Sequence, residues 1–218
     1  MTDIWAHPPG AKKRDYWFTV LLTDPVSIRI VRFLFRHRWL SPDQVTVIAL
    51  IFGLMSGGFF ATGERWGLIA GGISFYLAFV FDCVDGKLAR ATGVTSAKGE
   101  ALDHLADGAR RAAAGAGLAI YVWRAPDLVD RDIWWVITYV FLAYYFLEIA
   151  GAEKGDGPGG RLAQALARRR LLPNPGMPDV QAIVYIFGPL SGFVLPAFGV
   201  GIAMVTLAML KTIWTRLR

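Results

Sequence analysis

Four aspartates have the types and spacing to do chemistry. Asp82, Asp85, Asp103 and Asp107 fall in the run Asp82-Cys83-Val84-Asp85-Gly86-Lys87-Leu88-Ala89-Arg90, then eight residues, then Gly99, Asp103 and Asp107. On a helix, Asp82, Asp85, Gly86 and Ala89 share one face at i, i+3, i+4 and i+7, and Gly99, Asp103 and Asp107 share another at i, i+4 and i+8. A short turn around Gly93–Ser96 makes the two helices antiparallel neighbours, so four carboxylates converge within apolar sequence. Their mutual repulsion in low dielectric is prohibitive unless a cation holds them. Hard divalent ions, Mg²⁺ or Mn²⁺, suit carboxylate ligands beside a substrate phosphate. Two such ions about 3.5–4 Å apart stabilise both the attacking and the leaving oxygen of a displacement at phosphorus. Gly86, Ala89 and Gly99 leave room for a nucleotide to approach the backbone, or simply allow tight packing.

The elements that position these residues read as membrane helices. The chain is 55% hydrophobic and 18% charged with a mean hydropathy of +0.43, against about 25% charged in an ordinary soluble domain. A single cysteine, Cys83, excludes an internal disulfide framework and a multi-cysteine metal site. The first fourteen residues are polar, with Lys12, Lys13 and Arg14, and do not read as a cleavable leader. Six apolar stretches are long enough to span the hydrocarbon, near Pro42–Ala61, Trp66–Arg90, Ala97–Val122, Ile133–Ala150, Val180–Ala197 and Gly199–Trp214, with a tight turn at Pro196–Phe198 between the last two.

The fold class expected is thus all-α and integral to the membrane: an N-terminal segment (1–40) with an amphipathic interfacial helix, then a six-helix domain (41–218). Asp24-Pro25 reads as N-cap and first turn of that interfacial helix, with Arg29, Arg32 and Arg36 on one face. Gly53, Gly57 and Gly58, then Gly67, Gly71 and Gly72, suit close helix–helix approach, and the third span is rich in Gly and Ala. Segment 151–178 reads as a loop with a short helix at Arg161–Leu171. Lysine and arginine concentrate at both termini, beside the motif and in the 151–178 loop, which places these on the cytoplasmic side of the cell membrane. The net charge of +6 then reflects topology and attraction to anionic lipid, and no nucleic-acid module is recognisable.

The pattern D-x2-D-G-x2-A-R-x8-G-x3-D-x3-D resembles the signature of the CDP-alcohol phosphotransferases, and every fixed position from 82 to 107 is filled. A chance match is about one in ten billion per start site. A weaker echo, Ser41-Pro42-Asp43-Gln44-Val45-Thr46, is similar to the family's T-P-N-x-[IV]-T, with Ser and Asp in place of Thr and Asn. The resemblance implies Asp82, Asp85 and Asp103 as ligands of two divalent cations and Asp107 as a ligand and general base. It also implies a CDP site at Asp85, Gly86, Ala89, Arg90 and Gly99, and a homodimer. For Arg90 an interfacial anchor is an equal reading.

The expected activity is transfer of the phospho-alcohol group of a CDP-alcohol, CDP-diacylglycerol foremost, to an acceptor hydroxyl in phospholipid synthesis, with release of CMP. Inositol phosphate or glycerol 3-phosphate suits the acceptor side, where Arg110, Arg111, Lys154, Arg168 and Lys211 offer cationic contacts. Arg110 and Arg111 equally suit pairing with the aspartates, and Glu148 needs a partner of its own. His104 lies off the ligand face and Cys83 reads as packing. Three alternatives stand beside this: the same chemistry with a soluble CDP-alcohol or a lipid acceptor, an ion or proton transporter using the carboxylates as a relay, and a non-catalytic scaffold that retains the motif.

Overall fold

The computed structural model describes residues 10–125, 132–150 and 166–217. Among these the regular elements are helices, with one isolated bridge between Asp15 and Leu171. A π-helical turn at Thr19–Thr23 runs into α1 (Asp24–His37), followed by α2 (Pro42–Phe60), α3 (Arg65–Thr92), α4 (Ala97–Arg124) and α5 (Ile133–Ala150). After the 166–176 connection come α6 (Met177–Ala182), a second π-helical turn at Ile183–Phe187, α7 (Gly188–Ser191) and α8 (Val194–Arg216). By length and composition, α2, α3 and α8 can cross a membrane. The described helices thus supply three crossings by that measure, against six expected. α4 is long enough at 28 residues, but its first half carries the charged motif; the apolar part of α5, Ile133–Tyr144, is shorter.

Three expectations need correction. Asp24 is not an N-cap: Thr23 before it is already helical, and the Asp24 N–H closes the π-turn on the Thr19 carbonyl. The wider turn ahead of Pro25 relieves the clash its ring makes in a regular α-helix. The turn before the last helix lies at Gly192 and Phe193, not at Pro196–Phe198. Gly192 takes the left-handed conformation (φ 87°) that ends α7, and Pro196 sits in the first turn of α8, where a missing N–H is harmless. Finally, α3 and α4 touch only sparsely, and α2 is the main neighbour of both.

That third correction follows from the small residues. A Cβ on Gly57 would overlap the Ala113 carbonyl, and one on Gly117 would overlap the Gly57 carbonyl, so α2 and α4 meet backbone to backbone. On its other side α2 packs on α3 through Phe60 over Gly71, and the Ser56 hydroxyl donates to the Gly71 carbonyl at 2.9 Å. The core proper gathers Phe60, Leu68, Phe75, Leu118, Tyr139, Tyr185 and Phe198. A second cluster, Val31, Leu34, Val45, Val80, Val84 and Leu88, fixes α1 and the start of α2 against α3 beside the motif. The outer faces keep Ile51, Leu54, Phe141 and Leu207 exposed, as lipid contact requires.

The residues before α1 are strapped to the residues before α6. Asp15 donates its N–H to the Arg170 carbonyl at 2.9 Å and accepts from Leu172 at 3.0 Å. Asp179 accepts from the Phe18 N–H at 2.6 Å and from the Gly176 N–H at 2.8 Å. Beneath the strap, Asp24 is 3% exposed and sits 3.0 Å from both Lys87 of α3 and Arg170. These are charge contacts rather than aligned hydrogen bonds. The other expectations for the 151–178 loop, including Lys154 and Arg161, fall outside the described residues, as does the Glu148 side chain; residues 166–168 are helical.

Removing Asp24 leaves Lys87 buried without its partner, so Asp24→Ala is expected to cost about 3–5 kcal/mol. Unfolding in detergent checks this, and Asp24→Leu combined with Lys87→Met should recover most of the loss. Adjacent glycines give a sharper contrast. A Cβ on Gly58 meets nothing, whereas one on Gly57 overlaps α4. Gly58→Ala should be neutral or stabilising by up to about 1 kcal/mol, and Gly57→Ala destabilising by about 1–3 kcal/mol, read from the same unfolding curves.

Candidate active site

The start of α2 is set by a capping box: the Gln44 N–H donates to Ser41 Oγ at 3.3 Å, and the Ser41 N–H to Gln44 Oε1 at 2.9 Å. This places Asp43 and Thr46 on one face at i and i+3. The Thr46 hydroxyl donates to Asp85 Oδ2 at 2.7 Å. α4 begins in the same way, with Ser96 accepting from the Gly99 N–H at 3.0 Å. A Cβ on Gly99 would come 3.1 Å from Asp43 Oδ1, so the missing side chain lets α4 approach the acidic start of α2. Between these elements opens a cavity of about 550 Å³, whose walls include Asp43, Thr46, Asp85, Gly86, Ala89, Arg90, Gly99, Glu100 and Asp103. Six of these belong to the motif.

The other two motif aspartates lie in a cationic clamp. Arg110 of α4 is 3% exposed, and its Nη2 contacts Asp107 Oδ1 and lies 3.4 Å from Asp82 Oδ1. Arg111 Nη1 donates to Asp107 Oδ2 at 3.2 Å. Asp82 and Asp107 thus share one guanidinium nitrogen, Arg110 Nη2. Both arginines therefore pair with the aspartates, one of the two readings their position allowed. The guanidinium of Arg110 also lies 5.8 and 5.7 Å from the ring centres of Phe75 and Phe79. Asp85 and Asp103 thus line the cavity, and Asp82 and Asp107 lie one turn further along the same helices.

Arg90 lines the cavity, and its Nε donates to the Gly10 carbonyl at 2.7 Å while its guanidinium lies over Gly86. It thereby fastens the N-terminal segment to the cavity wall. Arg168 and Lys211 are exposed and do not line the cavity. His104 is exposed, and Cys83 packs against the core. Thr46 and Glu100 are site residues that motif reading passed over. The signal for Thr46 was there, since it closes the Ser41–Thr46 echo; Glu100 had none.

The donor set suits a hard divalent cation: four carboxylates from two helices, two of them sharing one guanidinium nitrogen and two facing one cavity. In the present side-chain arrangement no three acidic, histidine or cysteine groups among the described residues cluster as a metal site. Arg110 lies against the carboxylate oxygens of Asp82 and Asp107.

The profile of the CDP-alcohol phosphatidyltransferases matches residues 39–163. Choline/ethanolaminephosphotransferase 2 of Arabidopsis thaliana is 31% identical over 105 residues, which are 44% of this chain and 26% of that protein. Phosphatidylinositol phosphate synthase of Mycobacteroides abscessus is 30% identical over 127 residues, 56% of this chain and 54% of that one. The chain thus spans from about a quarter to about half the length of these curated relatives. Among solved structures, phosphatidylinositol phosphate synthase of Mycobacterium tuberculosis with CDP-DAG bound superposes with a TM-score of 0.59 at 25% identity, covering 88% of this chain and 92% of that one. The same enzyme in complex with manganese and citrate gives a TM-score of 0.59 at 22% identity, over 87% and 90% of the two chains. With the helical fold, the unbroken motif and a profile match across more than half its length, the chain is an integral membrane protein of the CDP-alcohol phosphatidyltransferase family.

Proposed function

We propose that the protein transfers the phosphatidyl group of CDP-diacylglycerol to the hydroxyl of a polyol phosphate, inositol phosphate foremost, and releases CMP. The observation that carries this is the 550 Å³ cavity at the motif end, walled by Asp85, Asp103, Gly86, Ala89 and Gly99 together. Glycine and alanine on that wall let a nucleotide approach the helix backbones. The similarity to a synthase holding CDP-DAG supports the donor, and two relatives named phosphatidylinositol phosphate synthase support the acceptor.

In this reading Asp82, Asp85, Asp103 and Asp107 hold divalent cations at the cytoplasmic end of a six-crossing bundle. Bound there, the cations neutralise the donor pyrophosphate and the charge that spreads over it during transfer. Thr46 fixes one oxygen of Asp85, which orients the other toward the cavity. Arg90, already on the cavity wall, meets the nucleotide phosphates. Asp107 accepts the proton of the acceptor hydroxyl. That oxygen forms a bond to the phosphorus bearing the alcohol, the bond from this phosphorus to the bridging oxygen breaks, and CMP departs with the electron pair. Arg111, half-buried beside Asp107, receives the acceptor's phosphate in this reading.

A second reading rests on the Arabidopsis relative, named for choline and ethanolamine: a soluble CDP-alcohol as donor and a lipid as acceptor. CMP release from purified protein, measured with CDP-diacylglycerol, CDP-choline and CDP-ethanolamine against a panel of polyol phosphates and diacylglycerol, separates the two. CMP release with none of the donors would remove both.

Chelation of divalent ions should abolish CMP release, and added Mg²⁺ or Mn²⁺ should restore it. Asp107→Asn keeps the shape and loses the base, and is expected to lower turnover by about 10²–10⁴-fold; undiminished turnover would refute the assignment. Thr46→Val keeps the volume and removes the hydrogen bond to Asp85. It should weaken metal affinity or activity by about 10–100-fold, with the metal dependence of CMP release as the measurement.

A further inference from the structure

Arg110 is a fixed cation inside the carboxylate cluster, and the fold makes a place for it. Its stem lies against Gly53 of α2, where a Cβ would come within 2.6 Å of Arg110 Cγ. Its guanidinium is flanked by Phe75 and Phe79 of α3. Three helices thus enclose one arginine, and at 3% exposure it reaches neither solvent nor lipid. A guanidinium stays charged in proteins, so a full positive charge is always present there.

The grip on that charge is incomplete. Arg110 engages Asp82 and Asp107 through Nη2 alone, while Nε and Nη1 are buried without a hydrogen-bond partner. Arg–carboxylate pairs frequently use the guanidinium fork, binding through two nitrogens. Here one nitrogen serves both carboxylates, hydrogen-bonded to Asp107 and charge-paired with Asp82, and donors that could have locked the pair are left over. Such an arrangement holds the aspartates together yet yields to a stronger cation, because unsatisfied buried donors already weaken it.

We propose that Arg110 is the resident counter-ion of the metal-free site and competes with the divalent cation for Asp82 and Asp107. This rests on the reading of those aspartates as metal ligands. With no divalent ion present, Arg110 neutralises carboxylates that would otherwise force the ends of α3 and α4 apart. When a divalent ion binds, its two charges and the guanidinium repel across the shared carboxylates. Nη2 then withdraws and the guanidinium stays over the two aromatic rings. The protein thereby remains folded without metal, at the expense of metal affinity.

The test is Mn²⁺ binding to the purified full chain in detergent, read from the electron paramagnetic resonance of the free ion, with thermal unfolding of the same samples. Arg110→Met, which keeps the stem and removes the charge, should bind Mn²⁺ about ten-fold tighter than the native chain. Its metal-free midpoint should fall below the native one, and saturating Mn²⁺ should close the gap. Arg110→Lys keeps the charge and should bind Mn²⁺ much as the native chain does. If Arg110→Met does not fold without metal, Arg110→Gln, neutral but polar, is expected to show the same tightening. A merely structural arginine gives unchanged or weaker Mn²⁺ binding in the neutral variants and a stability gap that metal does not close; that result overturns the proposal while leaving the metal site intact. A native chain that binds no Mn²⁺ overturns both.

Discussion

The attraction between the Arg110 guanidinium and the carboxylates of Asp82 and Asp107 is the interaction on which the motif end of the molecule depends. Acidic groups on two apolar helices do not approach one another in a low-dielectric setting without a cation between them. Because Arg110 comes from α4 one turn beyond Asp107 and reaches across to α3, it supplies that cation from within the chain. The sparse contact between α3 and α4 makes the point stronger. Few close backbone approaches join these helices directly, so beside their common packing on α2 this charge contact is a direct tie between them.

α2 is the other half of the same arrangement. Its upper surface is small, with Gly53 receiving the Arg110 stem and Gly57 receiving the α4 backbone, so α4 can come close enough for its arginine to reach α3. Its first turn is polar, with Asp43 beside Gly99 and Thr46 bonded to Asp85. One helix thus sets the spacing of the two motif helices and lines the cavity between their ends. The Ser41–Gln44 capping box fixes where that helix begins, and hence which of its residues face the aspartates.

The motif was legible because helical periodicity alone puts Asp82, Asp85, Gly86 and Ala89 on one face and Gly99, Asp103 and Asp107 on another. Membrane character was legible from hydropathy, and the small residues did mark close approach. What periodicity could not reveal was the partner of each approach. Gly53 and Gly57 read as small positions facing some helix; that the helix was α4 depends on tertiary packing, and so the α3–α4 pairing was misjudged. The start of α1 was missed because Asp24-Pro25 mimics a helix start, and only a π-turn, which leaves no sequence mark, carries the helix through it. The Pro196–Phe198 turn failed likewise: a proline in a first helical turn and a proline in a loop look alike in sequence. Pairing of Asp24 with Lys87 and Arg170 spans long sequence separations and had no local signal.

The four aspartates are not equivalent, and the difference follows from their neighbours. Asp85 and Asp103 face the cavity, and the hydrogen bond recorded on Asp85 comes from a neutral hydroxyl. Asp82 and Asp107 lie against Arg110, and Asp107 against Arg111 as well. In the proposed reading, an incoming divalent cation meets a carboxylate with no arginine in contact at Asp85 and one already paired with two arginines at Asp107. Coulombic attraction to the first is undiminished, and attraction to the second is offset by the resident charges. The aspartates are thus graded along the helices: those at the cavity wall are free of arginine contact, and those behind them are paired. The proposed role of Asp107 as general base therefore depends on the same charge balance that joins α3 to α4.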